Sequence, residues 1–350
     1  MAEIAKRAGV SRATASLVIN DRDAAVRISA ATRLRVLAVA EEMGYRRNEL
    51  ARAVVTGKNF VLGMLERPSG LEQKACIMGG ALAAADAYGY HIKVWPWPER
   101  EKIMEVARRC VEQRLAGLVV IRPTDVDIDE LHAELTRYNI PMVLVDDHLA
   151  QPWAINIASD DEQGSRQAMS HLIELGHRRI ACVAGKRPDS LSAIREQSYR
   201  AAMNACGLPV PDGYVLSNNW SFAGTEECIR RLFCTGQEPP TALFMAAGDA
   251  YAAVAIRMLR GMEIAVPRDV SVLGYADLGL AEVIDPPLTT ISQPFSDMGR
   301  VAVEVLMSLI ASPGNSNKQL SPNYLMPTRL IVRTSTAPVS NIAQIQERKH

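Results

Sequence analysis

The run AKRAGVSRATASLV (5–18) holds the side chains near the N-terminus with the most chemistry to offer. Ala15, Val18 and Ile19 recur at helical spacing and form a stripe that packs one helix on another. The opposite face carries Arg12, Ala13, Ser16, Leu17 and Asn20. It is short, mixed and free of acid, as suits a helix lying in a DNA major groove. Gly9 permits a left-handed turn between the two helices. A generic helical hairpin shares the same stripe, so this face alone leaves both readings open.

Catalysis has no comparable starting point. The chain contains no G-x-S-x-G, H-E-x-x-H, phosphate-loop or G-x-G-x-x-G pattern. Asp146, Asp147 and His148 are adjacent, and adjacent residues rarely converge on one ion, so a turn at a strand end is the simpler reading. Cysteines at 76, 110, 182, 206, 228 and 234 form no C-x-x-C, and histidine is sparse beside them. Most read as small core residues of a reducing compartment. No catalytic residue, metal or cofactor is therefore expected.

Charge divides the chain. The 350 residues are neutral overall, but residues 1–60 hold eleven basic and six acidic side chains. A head of +5 thus precedes a body of −5, and basic heads suit phosphate backbones because binding releases counterions. The start MAEIAKRAG has no apolar signal core, and no apolar run approaches the ~18 residues of a membrane span. A cytoplasmic, nucleoid-associated protein is expected.

Positioning these residues requires two kinds of architecture. Helices are predicted over 2–8, 11–20 and 29–43, with Ser11 and Ser29 as caps and Gly9 and Gly44 as stops. A short fourth helix over 48–56 is too brief to stand alone and needs a partner. From Phe60 onwards, apolar runs such as FVLGML (60–65), GLVVI (117–121), RIACVAG (179–185) and VSVLGY (270–275) alternate with amphipathic helices. That rhythm predicts parallel sheets covered on both faces, in two halves. Ligands of such sheets bind beyond the carboxyl ends of the strands, which places a cleft between the lobes.

The stretches EIAKRAGVSRATASLVIN (3–20), ISAATRLRVLAVAEEMGY (28–45) and NELARAVVTG (48–57) strongly resemble the head of the LacI/GalR family of bacterial regulators. The likeness continues through RLAGLVVI (114–121), HLIELGHRRIACVAG (171–185), VPRDVSVLGYAD (266–277) and PPLTTISQP (286–294), and covers about 1–335. It implies an all-α helix-turn-helix head on a bilobed, periplasmic-binding-protein-like α/β body of two doubly wound parallel-sheet lobes. The expected divisions are a DNA-binding domain at 1–46, a hinge helix at 47–58, an effector-binding and dimerisation body at 59–335 and a polar tail at 336–350. Lobe 1 is expected at about 59–158 plus 292–320, and lobe 2 at about 159–291 plus 321–335.

The resemblance also implies roles. Arg12, Ala13 and Leu17 hold base-reading positions. Leu17 offers only apolar contact, to a thymine methyl or else to its own fold. Ser11, Thr14, Ser16, Asn20, Thr32 and Tyr45 suit phosphate contacts, which position without specifying. Asn48, Ala51, Arg52 and Val54 lie in the hinge, with Val54 where a minor-groove leucine is usual. Met1 falls inside the first helix, either from a misplaced start or because that helix has lost its cap. Effector positions are Gln73, Lys74, Asp160, Arg195, Trp220, Asp249 and Ala276. Asp160 and Asp249 would serve either the cleft or a helix cap. Lys74 would face either the ligand or solvent. Ala276 stands where the family's GYDD has an acid, and with Lys74 it makes the pocket less negative. An anionic effector, such as a sugar phosphate or sugar acid, is one consequence; drift away from sugar binding is the other. The implied protein is a dimeric, metabolite-controlled regulator, in all expectation a repressor, on a palindromic double-stranded operator. A solute-binding protein without a regulatory role is the alternative.

Overall fold

Ser11 and Ser29 each open a helix by capping it. The Thr14 N–H donates to Ser11 Oγ at 3.0 Å and the Thr32 N–H to Ser29 Oγ at 3.2 Å. Each bond satisfies a donor that the first helical turn leaves without an internal partner. The helices are α2 (Arg12–Ile19) and α3 (Ala30–Glu42); α1 (Ala2–Ala8) precedes them and ends at Gly9, whose φ of 64° is the left-handed stop. Ile4, Ala5, Ala8, Ala15, Val18, Ile19, Val36 and Ala40 form one buried cluster, so the apolar stripe of α2 packs as its spacing predicts. Arg35 Nε donates to the Ala8 carbonyl at 2.8 Å and ties α3 to the end of α1.

This computed structural model describes residues 1–19, 28–45, 59–66, 72–96, 102–122, 128–148, 151–187, 189–236, 238–311 and 323–339. The chain divides into two compact units, Met1–Asn59 and Phe60–His350. The hinge helix expected at 48–56 and the end of the tail lie outside the described residues.

The second unit is built on two six-stranded sheets. The first contains β1 (Val61–Glu66), β2 (His91–Pro96), β3 (Gly117–Ile121), β4 (Met142–Val145), β5 (Asn156–Ser159) and β11 (Asn323–Met326), in the order β11-β5-β4-β3-β1-β2 and all parallel. The second contains β6 (Ile180–Ala184), β7 (Val215–Ser217), β8 (Ala242–Phe244), β9 (Ser271–Ala276), β10 (Thr289–Ser292) and β12 (Arg329–Ile331), in the order β12-β10-β9-β8-β6-β7. There β12 runs antiparallel to β10.

Alternation explains why the strands read as unbroken apolar runs. In the first sheet Leu62, Met64, Val119, Ile121, Val143 and Val145 face α4 (Glu72–Ala87) and α12 (Phe295–Ala311). Leu65, Leu118, Val120 and Leu144 face α5 (Ile103–Glu112) and α6 (Ile128–Arg137). The second sheet is covered likewise, by α9 (Phe222–Phe233) and α10 (Asp249–Gly261) on one side and α7 (Asp161–Glu174) and α8 (Ser190–Ala205) on the other. The central strands β3, β4, β5, β6, β8 and β9 bury both faces, as parallel sheets require, whereas the edge strands β2, β11 and β12 stay partly exposed.

Two expected boundaries move. The third crossing between lobes falls at 327–328 rather than 320–321, because Asn323–Met326 extends the first sheet beside β5. Asn156 Nδ2 donates to Asn323 Oδ1 at 2.8 Å across that pair. Residues 336–339 are not tail. The Val339 N–H donates to the Leu175 carbonyl at 2.9 Å, and His177 Nε2 lies 3.1 Å from the Ala337 carbonyl. Those hydrogen bonds hold the segment on the second lobe.

Candidate functional site

On the head, the face of α2 opposite its buried stripe is open. Ser11, Arg12 and Ala13 are exposed, and Thr14, Ser16 and Leu17 are half-buried. Leu17 stands outside the head's buried cluster, so its methyl groups are available to a partner. Thr14 Oγ1 lies 2.8 Å from Ser11 Oγ, and Thr32 Oγ1 lies 2.9 Å from Ser29 Oγ. These pairs preset hydroxyls at the starts of α2 and α3, where helix N-termini favour anions. Tyr45 is half-buried and packs on the cluster. Asn20, Asn48, Ala51, Arg52 and Val54 lie outside the described residues.

In the body, a cavity of about 420 Å³ opens where the carboxyl ends of both sheets meet. Its walls include Gln73, Lys74, Arg195, Trp220, Asp249 and Ala276 of the expected effector residues. Asp160 is not in that wall. Its Oδ1 accepts the Gln163 N–H at 2.8 Å, so it caps α7. The next residue, Asp161, is buried behind the wall, where it pairs with Arg195.

Arg195 is held from several sides. Its Nε donates to Asp161 Oδ1 at 2.9 Å and its Nη1 to the Ala246 carbonyl at 2.8 Å. The guanidinium lies 3.8 Å from the centre of the Tyr275 ring, a cation–π contact. Burial alone would push the Asp161 carboxyl up, but Arg195 and the hydrogen bond from His148 outweigh it and leave it below the ordinary range. Arg195 and Asp161 are both buried, so neither charge has water to fall back on.

Trp220 lies against Gly185, where a Cβ would collide with the indole. The Arg122 guanidinium sits 5.0 Å from the ring centre, and the Tyr251 ring 6.1 Å away at 49°. Asp249 is the first residue of α10 rather than its cap. Its Oδ1 accepts the Thr290 hydroxyl at 2.6 Å and its Oδ2 the Leu278 N–H at 3.1 Å. Burial pushes this carboxyl up despite both bonds. Ala276 has φ of 136°, rare for a residue with a side chain, and its methyl joins the apolar cluster of the first lobe. Lys74 is 5 % exposed, so it faces inward and not solvent.

Sequence reasoning missed Arg122, Asp146, Lys186, Asp189, Tyr251 and Gln293, which also line the cavity. Arg122, Asp146 and Lys186 each follow a strand by one or two residues, and that position was the signal that could have found them. Arg122 and Asp189 also bridge the lobes, as do residues near them. Arg122 Nη2 donates to Asp189 Oδ2 at 3.4 Å, Ser190 Oγ to Asp147 Oδ1 at 2.8 Å, and the Gly279 N–H to Glu72 Oε1 at 3.2 Å. His148 Nε2 meets Asp161 Oδ2 at 3.1 Å. No group of three or more metal-binding side chains occurs among the described residues.

Asp146 gives a pH prediction. Burial pushes its carboxyl up to about 6, although Arg122 opposes the shift. An acid whose proton affinity is raised by folding favours the folded state below its unfolded value, and loses that advantage as pH rises to the folded value. Stability from this group should therefore fall between about pH 4 and pH 6. Asp146→Asn should raise the melting temperature at pH 7.5 and change it little at pH 4.5. An equal effect at both values would refute the assignment.

Known proteins match both units. Residues 1–48 match the bacterial regulatory proteins of the lacI family, and residues 169–336 the periplasmic binding protein-like domain. The chain is 30% identical to the ribose operon repressor of Escherichia coli (strain K12), over 94% of this chain and 98% of that protein. It is 31% identical to the HTH-type transcriptional regulator DegA of Bacillus subtilis (strain 168), over 97% and 98%. Among solved structures it resembles the lac repressor dimer bound to operator and the anti-inducer ONPF, with TM-score 0.81, 27% identity and coverage of 95% and 98%. No helix among the described residues is long and apolar enough to cross a membrane. The match to relatives over nearly the whole length makes this chain a member of the lacI family of bacterial regulatory proteins.

Proposed function

We propose that this protein is a transcriptional repressor that binds a palindromic operator as a homodimer and responds to a small metabolite held between its lobes. The observation that carries the reading is the acid-free face of α2, with Arg12 and Ala13 exposed and Leu17 half-buried, in the same chain as an ion-lined cleft. Arg12 donates to guanine or phosphate, and Leu17 and Ala13 offer apolar contact to thymine methyls. Ser11, Thr14, Ser16, Thr32 and Tyr45 contact phosphates, and Asn20 joins them. The segment 47–58, with Asn48, Ala51, Arg52 and Val54, acts as a hinge whose ordering on DNA the body promotes or opposes. A reader of this size reads one half-site, so a two-fold dimer matches a palindrome. In this role the protein works in the cytoplasm and carries out no catalytic step.

Selection of bound fragments from the host genome, followed by mobility-shift assays, tests the proposal. Arg12→Ala should weaken the selected operator by about 1–3 kcal/mol, roughly 5- to 160-fold, and relax sequence preference at one position of each half-site. Uniform weakening on all DNA would reassign Arg12 to phosphate. No specific shift for any fragment, with or without metabolites, would sink the repressor reading.

A further inference from the structure

We propose that the C-terminal segment 340–350 docks within its own chain, in a groove between α7 and α8 on the outer face of the second lobe. Groove and effector cleft are lined by different residues, so this inference does not rest on the metabolite-binding reading.

The groove is a cavity of about 810 Å³. Its apolar wall consists of Ile173, Ile194, Ala201, Ala202, Ala205 and Leu325. Leu325 is 52% exposed although it is a large aliphatic side chain. It belongs to β11 of the first sheet, whereas the helices belong to the second lobe, so the groove spans both lobes beside their crossing at 327–328. Acids stand at both ends of α7, Asp160 and Glu162 at its start and Glu174 at its close. Asp161 also lines the groove and is neutralised by Arg195. The other three acids face a single arginine, Arg166, which lies 3.7 Å from Glu162. The wall is therefore apolar in the middle and acidic at its ends.

The chain itself delivers an occupant to that wall. The Val339 N–H donates to the Leu175 carbonyl at 2.9 Å, one residue past Glu174. Segment 340–350, SNIAQIQERKH, thus begins at one end of the groove. Its reach suffices. Eleven residues span about 16 Å as a helix and more when extended, and α7 rises about 18 Å from Glu162 to Glu174. Ile342 and Ile345 are spaced for one face of a helical turn and suit the apolar middle. Arg348 and Lys349 follow, and reach towards the end that Asp160 and Glu162 flank. Tethering favours this occupant over a second copy. A segment rooted beside its site has an effective concentration of about a millimole per litre, on the order of a thousandfold above a second copy at micromolar concentration. Even a weak contact then fills the groove from within. Once filled, the groove joins Leu325 of the first lobe to α7 and α8 of the second, so the segment straps the lobes together.

Two exposed cysteines supply the test, Cys206 in the groove wall and Cys234 outside it. The full chain and a chain ending at Val339 are pulsed with N-ethylmaleimide, and the labelled peptides are measured by mass spectrometry. Cys206 should react severalfold faster in the shortened chain, Cys234 should react equally in both, and buried Cys182 should stay unlabelled as a sign that the lobe is folded. Ile342→Asp combined with Ile345→Asp in the full chain should reproduce the fast reaction of Cys206, and it decides the matter if shortening exposes Cys182. Protection of Cys206 in the full chain should hold on dilution through the micromolar range. Equal Cys206 rates with and without the segment or its isoleucines, an equal acceleration at Cys234, or protection that fades on dilution, as a second copy would give, would overturn the proposal.

Discussion

Arg195→Ala is expected to destabilise the second lobe by about 3–5 kcal/mol near neutral pH, the usual cost of stranding one member of a buried ion pair. Arg195 and Asp161 are 4% and 1% exposed. Removing the guanidinium leaves the Asp161 carboxylate with its contact to His148, and takes the Arg195 donor from the Ala246 carbonyl. The deletion also opens space beneath the Tyr275 ring. The loss should depend on pH. Asp161 in the intact protein has its proton affinity lowered, so its contribution is present above the unfolded value and disappears as pH falls through the folded one. In the variant the stranded carboxylate can escape its penalty by taking a proton, so acid narrows the gap between variant and parent. Urea unfolding at pH 7.5 and pH 5 measures this. Adding Asp161→Asn should recover most of the loss, because an amide needs no counter-charge. A double-mutant cycle in which Arg195→Ala costs the same with Asp161 or Asn at that position would remove the ion pair from the explanation.

That pair also shows where sequence reasoning stops. Arg195 was legible because a residue type at a family position carries over. Its partner was not, because Asp160 and Asp161 are adjacent acids at a helix start and only the phase of α7 decides which turns towards Arg195. Capping took Asp160, since its Oδ1 reaches the Gln163 N–H; the side chain one step on turns into the interior. Lys74 is a similar case. A lysine reads as exposed in a sequence, whereas Lys74 is buried in a cavity wall shared with Tyr275, Leu278 and Phe295 from far along the chain. By contrast, local chemistry was readable. Ser11 and Ser29 cap the helices expected of them, because a cap involves residues three apart. The run GLVVI was a strand to the residue, because a central parallel strand is apolar on both faces. Strand β11 failed that test. It lies at a sheet edge with an alternately exposed surface, and its pairing partner is more than 160 residues away.

The same dependence on distant backbone governs the other large effect. Gly80→Ala should cost about 3 kcal/mol or more, at or above the usual top of the range for overpacking. A Cβ on Gly80 would collide with the Ser296 carbonyl of α12, and a Cβ on Gly299 with the Ile77 carbonyl of α4. The two helices thus meet backbone to backbone, and backbone cannot turn aside as a long side chain can. Gly79 is the internal control. It is exposed on the same helix with nothing within 4 Å of a Cβ, so Gly79→Ala should stabilise by up to about 1 kcal/mol through helix propensity alone. Chemical denaturation of the two single variants should therefore give opposite signs from neighbouring residues. The consequence reaches the cleft, because the first turn of α4 carries Gln73 and Lys74 and α12 opens with Phe295, all in the cavity wall. Separating these helices displaces one side of the site from the other lobe. Gly80→Ala should consequently lose stabilisation by any ligand bound in the cleft even at temperatures where it remains folded, whereas Gly79→Ala should retain it. Full ligand-induced stabilisation in a folded Gly80→Ala protein would show that the helix crossing supports the lobe but does not position the site.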